Sequence, residues 1–336
     1  MTVSAPPSSA TARPDRVRPG ALRLVACYAT IASTIPYLVL KTAWLFGDPI
    51  GFVDRSLVDN PVLIGGNAAT AAMDVVAALL ALTLTYRWGR RASVWLVGFP
   101  MWVGAGLLTP IALAMPIAAV HAAATGVQLV TADNLVRPWV YGLVYTGFTA
   151  ETLTLLVAFV LYARHRWGTL LRARVDELPP GTTHAAQRVL TAVAAALAGI
   201  AFVVHLLWAC GLPVGQPEEV GVDQGFATHV LDGAYGLTAL ACGLGLVLLV
   251  YRPLGRLPYW VPIALTWVGS GGLFGWGVWS LLPVLAGSAL TGTTVGNWGL
   301  IGVLGLVRVL AGALGAGIGV ILLAERAAAP HASRGV

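Results

Sequence analysis

The chain has 336 residues, 57% hydrophobic and only 10% charged, and its mean hydropathy is +0.81. A soluble domain carries about a quarter charged residues, so this composition excludes a secreted disulfide scaffold, a nucleic-acid-binding domain and a soluble enzyme, and it indicates a polytopic membrane protein. The net charge of +6 is no argument for nucleic acid, because the basic residues sit at membrane boundaries.

Residues 1–20 are rich in Pro, Ser and Arg and predict a disordered cytoplasmic tail. The first apolar stretch, 22–46, is too long for a signal-peptide core and is a span. Seven more follow at 62–86, 92–122, 137–162, 188–211, 226–251, 259–286 and 297–324. At about 1.5 Å per residue each crosses roughly 30 Å of hydrocarbon. The fold class expected is therefore an all-α polytopic membrane protein of eight transmembrane helices, arranged as two parallel four-helix repeats with both termini cytoplasmic.

Charge placement supports that topology. With the N-terminus inside, the inner segments and their flanks hold Arg13, Arg16, Arg18, Arg23, Arg87, Arg90, Arg91, Arg164, Arg166, Arg172, Arg174, Arg188, Arg252, Arg256, Arg326 and Arg334. The outer loops hold only Arg55 and Arg137, while Asp48, Asp54, Asp59, Asp133, Glu218, Glu219 and Asp223 lean outward. This is the positive-inside pattern. Arg outnumbers Lys nineteen to one in a chain rich in Ala, Gly and Val, a bias typical of GC-rich bacterial genomes, so a bacterial plasma membrane is expected. Cys27, Cys210 and Cys242 are dispersed in apolar runs and form no CxxC.

A shift of 164–165 residues lays the second half of the chain on the first. Lys41, Trp44, Gly47, Pro49 and Gly51 fall on His205, Trp208, Gly211, Pro213 and Gly215. Trp102, Gly104 and Gly106 fall on Trp267, Gly269 and Gly271, and after a register slip Trp139 falls on Trp298. Two four-helix repeats, 21–165 and 188–326, joined by a linker at 166–187 and followed by a tail at 327–336, share one orientation because four is even.

Three charges lie centrally. Asp74 is midway along the second span, Glu151 midway along the fourth, and Arg308 eleven residues into the eighth. A charge at this depth is a functional candidate, since it costs about 2.5–3.5 kcal/mol on insertion scales. Asn67, Thr70, Asp74 and Ala78 share one helix face. Arg308 lies on a small-residue stripe with Gly299, Gly302, Gly305, Gly312, Gly315 and Gly319, and so faces the bundle. These three charges predict an ion pair between Arg308 and Asp74 or Glu151. The other carboxylate is then left for a proton relay, unless all three close a network that only fixes helix register.

An outer set comprises Lys41, His121, His205, His229 and Asp232. His229 and Asp232 stand one turn apart with His205 nearby, a weak metal-ligand candidate set. Snorkelling to water from within two turns of the interface is the stronger expectation, so no metal and no cofactor is expected. Lys41, the sole Lys, occupies the slot of His205 in the other repeat, as an anion-binding or proton-handling vestibule requires. Pro36, Pro100, Pro110 and Pro116 are expected to break or kink their helices. No nucleotide-binding loop, GxSxG, HExxH or dinucleotide fingerprint occurs.

The expected partners are the lipid bilayer and a small molecule of unspecified class, with no nucleic acid; the sequence leaves the oligomeric state open. Three functions fit: a small-solute transporter or exporter, favoured for its twofold arrangement around central charges; a membrane enzyme on a lipophilic substrate with Asp74 or Glu151 as general acid; and an accessory or sensory subunit.

Overall fold

The computed structural model describes residues 20–127, 135–177, 181–216, 225–291 and 299–328. The expected disordered tail, the acidic residues Asp133, Glu218, Glu219 and Asp223, and Arg334 lie outside the described residues, as do Arg13, Arg16 and Arg18. Eight helices are long and apolar enough to cross a membrane. They are α1 (Ala21–Leu45), α2 (Pro61–Thr85), α3 (Val94–Thr125), α4 (Pro138–Arg172), α5 (His184–Ala209), α6 (Phe226–Val250), α7 (Trp260–Thr291) and α8 (Gly299–Ala328). Among the described residues there is no strand, only isolated bridges such as Phe52 with Val136.

Local chemistry sets the helix ends. Asn60 accepts hydrogen bonds from the backbone N–H groups of Val62 and Leu63, and Pro61 follows it at the first helical position. Gly126 closes α3 in the left-handed conformation at φ +70°. Between α1 and α2, Asp54 accepts from both the backbone N–H and the hydroxyl of Ser56, which hold its carboxyl below the usual carboxylate range.

Of the two outcomes expected at the prolines, breaking does not occur: α1 runs through Pro36, and α3 through Pro100, Pro110 and Pro116. The carbonyl that Pro110 leaves without its helical N–H belongs to Gly106, and it faces Gly272 of α7, where a Cβ would lie 3.3 Å away. The expected linker 166–187 is partly helical. Helix α4 continues to Arg172 across a kink at Trp167 (φ −128°, ψ 20°), and α5 begins at His184.

Helix α1 packs against α2 and α4, while α5 packs against α6 and α8, and α7 joins α6 to α8. The halves meet where α3 packs on α7 and α6. A Cβ on Gly106 would fall on the Gly271–Gly272 backbone, and one on Gly271 would fall on the Trp102 carbonyl. Beside this contact the Trp102 indole N–H donates to Ser270 Oγ at 2.9 Å, and that of Trp276 to the Leu107 carbonyl at 3.0 Å. On α8, Gly305, Gly312 and Gly315 meet α7 side chains or backbone, whereas Gly302 and Gly319 have nothing within 4 Å. Large apolar side chains such as Val25, Leu79, Leu96, Val120, Val189 and Leu237 are exposed, as lipid-facing residues must be.

The same turn follows α1 and α5. The Trp44 indole N–H donates to the Ile50 carbonyl at 2.7 Å, and that of Trp208 to the Val214 carbonyl at 3.0 Å. Gly47 and Gly51 stand at φ +85° and +82°, Gly211 and Gly215 at +80° and +69°. These are left-handed positions in which any other residue is strained.

Candidate functional site

Helix α1 places Tyr37 and Lys41 one turn apart on one face, next to the middle of α2. Side chains lean towards the N-terminus of their helix, so Lys41, near the end of α1, reaches back along it. Its Nζ donates to Asp74 Oδ2 at 2.8 Å and lies 3.6 Å from the Tyr37 ring centre. Lys41 is wholly buried and Asp74 is 5% exposed. The Tyr37 ring meets Phe148 of α4 edge to face at 5.3 Å. Glu151, also on α4, is 3% exposed and interacts electrostatically with both Asp74 and Lys41. Its carboxyl has no hydrogen-bond partner among the described residues.

A second cluster lies between α5, α6 and α8. His205 Nδ1 is 2.9 Å from Asp232 Oδ1, and both residues are buried. A carboxylate only accepts, so Nδ1 carries the hydrogen and Nε2 of the neutral ring keeps its lone pair. That Nε2 is buried without a partner. The Arg308 guanidinium stands 5.1 Å from the Tyr235 ring centre, and its Nε is likewise buried without a partner. Tyr235 also packs on His205 at 5.3 Å and on Trp276 at 4.9 Å. Tyr145 and Phe148 of α4 pack in one buried cluster with Ala234 of α6 and Trp276 of α7.

Several residues are placed differently from the sequence expectation. Among the described residues Arg308 makes no ion pair with Asp74 or Glu151. Lys41 occupies Asp74, and α8 packs against α5, α6 and α7, away from α2 and α4. Equal depth did not make them neighbours. Lys41, His205 and Asp232 do not snorkel to water; each is buried against its partner. His229 Nδ1 is 2.9 Å from the Trp208 carbonyl and turns away from a shared ligand set. His121 stacks on Phe226 at 3.8 Å. Asn67 is half-buried, two turns along α2 from Asp74. Among the described residues no group of three or more His, Cys, Asp or Glu side chains is placed to hold a metal ion.

Tyr37 and Tyr235 were missed as members of the site. Their signal was helical spacing: Tyr37 is four residues before Lys41, and Tyr235 three after Asp232.

The chemistry available is that of two buried acid–base pairs, a carboxyl and a guanidinium without acidic or basic partners, and an aromatic layer between them. Such groups bind polar ligands and hand on protons in a low-dielectric setting. Comparisons with protein-family models, with curated proteins and with solved structures found no match to this chain.

Proposed function

We propose that this multi-pass membrane protein is a small-solute transporter of a bacterial plasma membrane, built from two parallel four-helix repeats with both termini cytoplasmic and with its path between them. One observation carries the reading. Each half buries a base–acid pair between its first two helices, Lys41 with Asp74 and His205 with Asp232. The repeat reading draws on the matched turns after α1 and α5. Lys41 and His205 are 164 residues apart, as are Trp44 and Trp208. Asp232 corresponds to Asn67 rather than to Asp74. The long Lys stem reaches an acid two turns deeper, whereas the short His ring meets the nearer one.

Flux of a compound panel into proteoliposomes tests this, with Glu151→Gln and Arg308→Gln as variants. Uptake of some solute that both variants abolish, while the protein remains folded, supports transport. Absence of any flux across the panel rejects it. A membrane enzyme is the second reading, favoured by the unpartnered Glu151 carboxyl beside Lys41 and Asp74, which suits a general acid. It would appear as a chemical change in a lipophilic substrate without movement of solute.

A further inference from the structure

We infer that Arg308 and His205 together form the binding site for a small organic acid, which is held as its carboxylate while its proton resides on His205. The inference rests on the transport reading for its place in the molecule and adds the ligand class.

Arg308 is 7% exposed. Among the described residues its guanidinium has no acid within hydrogen-bond reach, and Nε has no partner of any kind. The nearest carboxylate, Asp232, is engaged by His205. Among the described residues this buried cation is stabilised by the face of Tyr235 and the more distant Asp232 charge. That is weak compensation: a cation over an aromatic ring gains about 0.5–2 kcal/mol, whereas the effective cost of burying an ion is several kcal/mol. An incoming carboxylate supplies what is missing, and the guanidinium fork fits it with two parallel hydrogen bonds.

The second polar atom without a partner selects the protonation state. His205 Nε2 is buried without a partner, and on the neutral ring, whose one N–H hydrogen Nδ1 directs at Asp232, it is an acceptor. The charged or titratable groups facing His205 are Asp232 and Tyr235 from α6 and Arg308 from α8. Without ligand, Arg308, neutral His205 and Asp232 sum to zero. A carboxylate alone would leave one negative charge in the core. When the acid RCOOH enters, its O–H bond breaks, the carboxylate goes to Arg308 and the proton to Nε2. The resulting imidazolium still donates Nδ1–H to Asp232. The sum returns to zero, so the uncompensated charge that makes buried ions costly never arises. Tyr235 and Trp276, packed at 4.9 Å, offer an apolar wall for the body of the acid.

The test uses the full chain purified in detergent, with benzoate and hexanoate as probes and benzamide and hexanamide as neutral counterparts. Calorimetric titrations in two buffers of different ionisation enthalpy, at a pH where both acids are ionised, count protons taken up on binding. The expected result is binding of at least one carboxylate with uptake of one proton, and amide binding at least about tenfold weaker. Arg308→Gln should weaken carboxylate binding roughly tenfold to a hundredfold, the range for a hydrogen bond to a charged group. His205→Asn should reduce the proton count to zero. The wild-type measurements stand alone if a variant does not fold. Failure of both carboxylates to bind, equal binding of acid and amide, or binding without proton uptake overturns the inference. Carboxylate binding without vesicle flux rejects transport and leaves the site standing; flux of another solute with no carboxylate binding does the reverse.

Discussion

Lys41 Nζ lies 2.8 Å from Asp74 Oδ2, with neither residue more than 5% exposed. Removing one member of such a pair leaves a buried charge uncompensated and typically costs 3–5 kcal/mol, whereas replacing both with apolar groups is often neutral. Lys41→Met should therefore lower the thermal stability of the purified protein sharply. Lys41→Met with Asp74→Leu should recover most of the loss. Wild-type stability in the single variant, or no recovery in the double, would contradict a structural pairing.

The α3–α7 crossing predicts a contrast between neighbouring glycines. Gly106→Ala places a methyl group on the Gly271–Gly272 backbone, and overpacking of this kind costs about 1–3 kcal/mol. Gly104, two residues earlier and on the opposite side of α3, has nothing within 4 Å, so Gly104→Ala should be neutral or slightly stabilising. Denaturation of both variants in the same detergent decides it, and equal losses would refute the crossing point.

The turns after α1 and α5 can be compared in the same way. Gly47 and Gly51 both have positive φ, so either change to Ala pays for left-handed strain of about 1–3 kcal/mol. Only Gly51 also has a neighbour in its way, Val140 Cγ2 at 2.5 Å from an added Cβ. Gly51→Ala should thus be the more damaging. Gly215→Ala, whose Cβ would meet Leu300, should behave like Gly51→Ala, and Gly211→Ala like Gly47→Ala. A reversed order within either turn would argue against duplicated turn geometry.

The proposed topology is open to labelling in cells. An impermeant thiol reagent should reach exposed Cys210 directly, while Cys27 and Cys242 stay unlabelled because they are buried. In a Cys210→Ser background, Arg55→Cys should label from outside, and Arg172→Cys and Leu254→Cys only after permeabilisation. Labelling at position 172 in intact cells would break the proposed orientation.

Span number and the limits of most helices were legible because hydropathy reports depth, and depth is a one-dimensional property of the chain, although α4 runs to Arg172, ten residues past its expected end at 162. Lys41 stood out in the sequence as the slot partner of His205, but its burial was not legible, since snorkelling to water was the stronger expectation. The pairings were not legible. Arg308, Asp74 and Glu151 share a depth, but which helices adjoin α8 is a lateral matter that residue counting does not contain. Lys41 and Asp74 differ in distance from their helix ends, and only the length and lean of the Lys stem bring them together. The close approach of α3 to α7 at Gly106 and Gly271–Gly272 is likewise a lateral matter.

Helices α3 and α7 each contain 32 residues, and they touch through Gly106 and Gly271, both well short of their midpoints. With no side chain at either residue, the pair forms a scissor whose pin is bare backbone, flanked by the Trp102–Ser270 and Trp276–Leu107 hydrogen bonds. The arms on the N-terminal side measure roughly 18 Å and those on the C-terminal side roughly 29 Å at about 1.5 Å per residue. A given rotation about the pin therefore moves the C-terminal ends farther than the N-terminal ends. Opening and closing of the molecule should be large at one face of the membrane and small at the other.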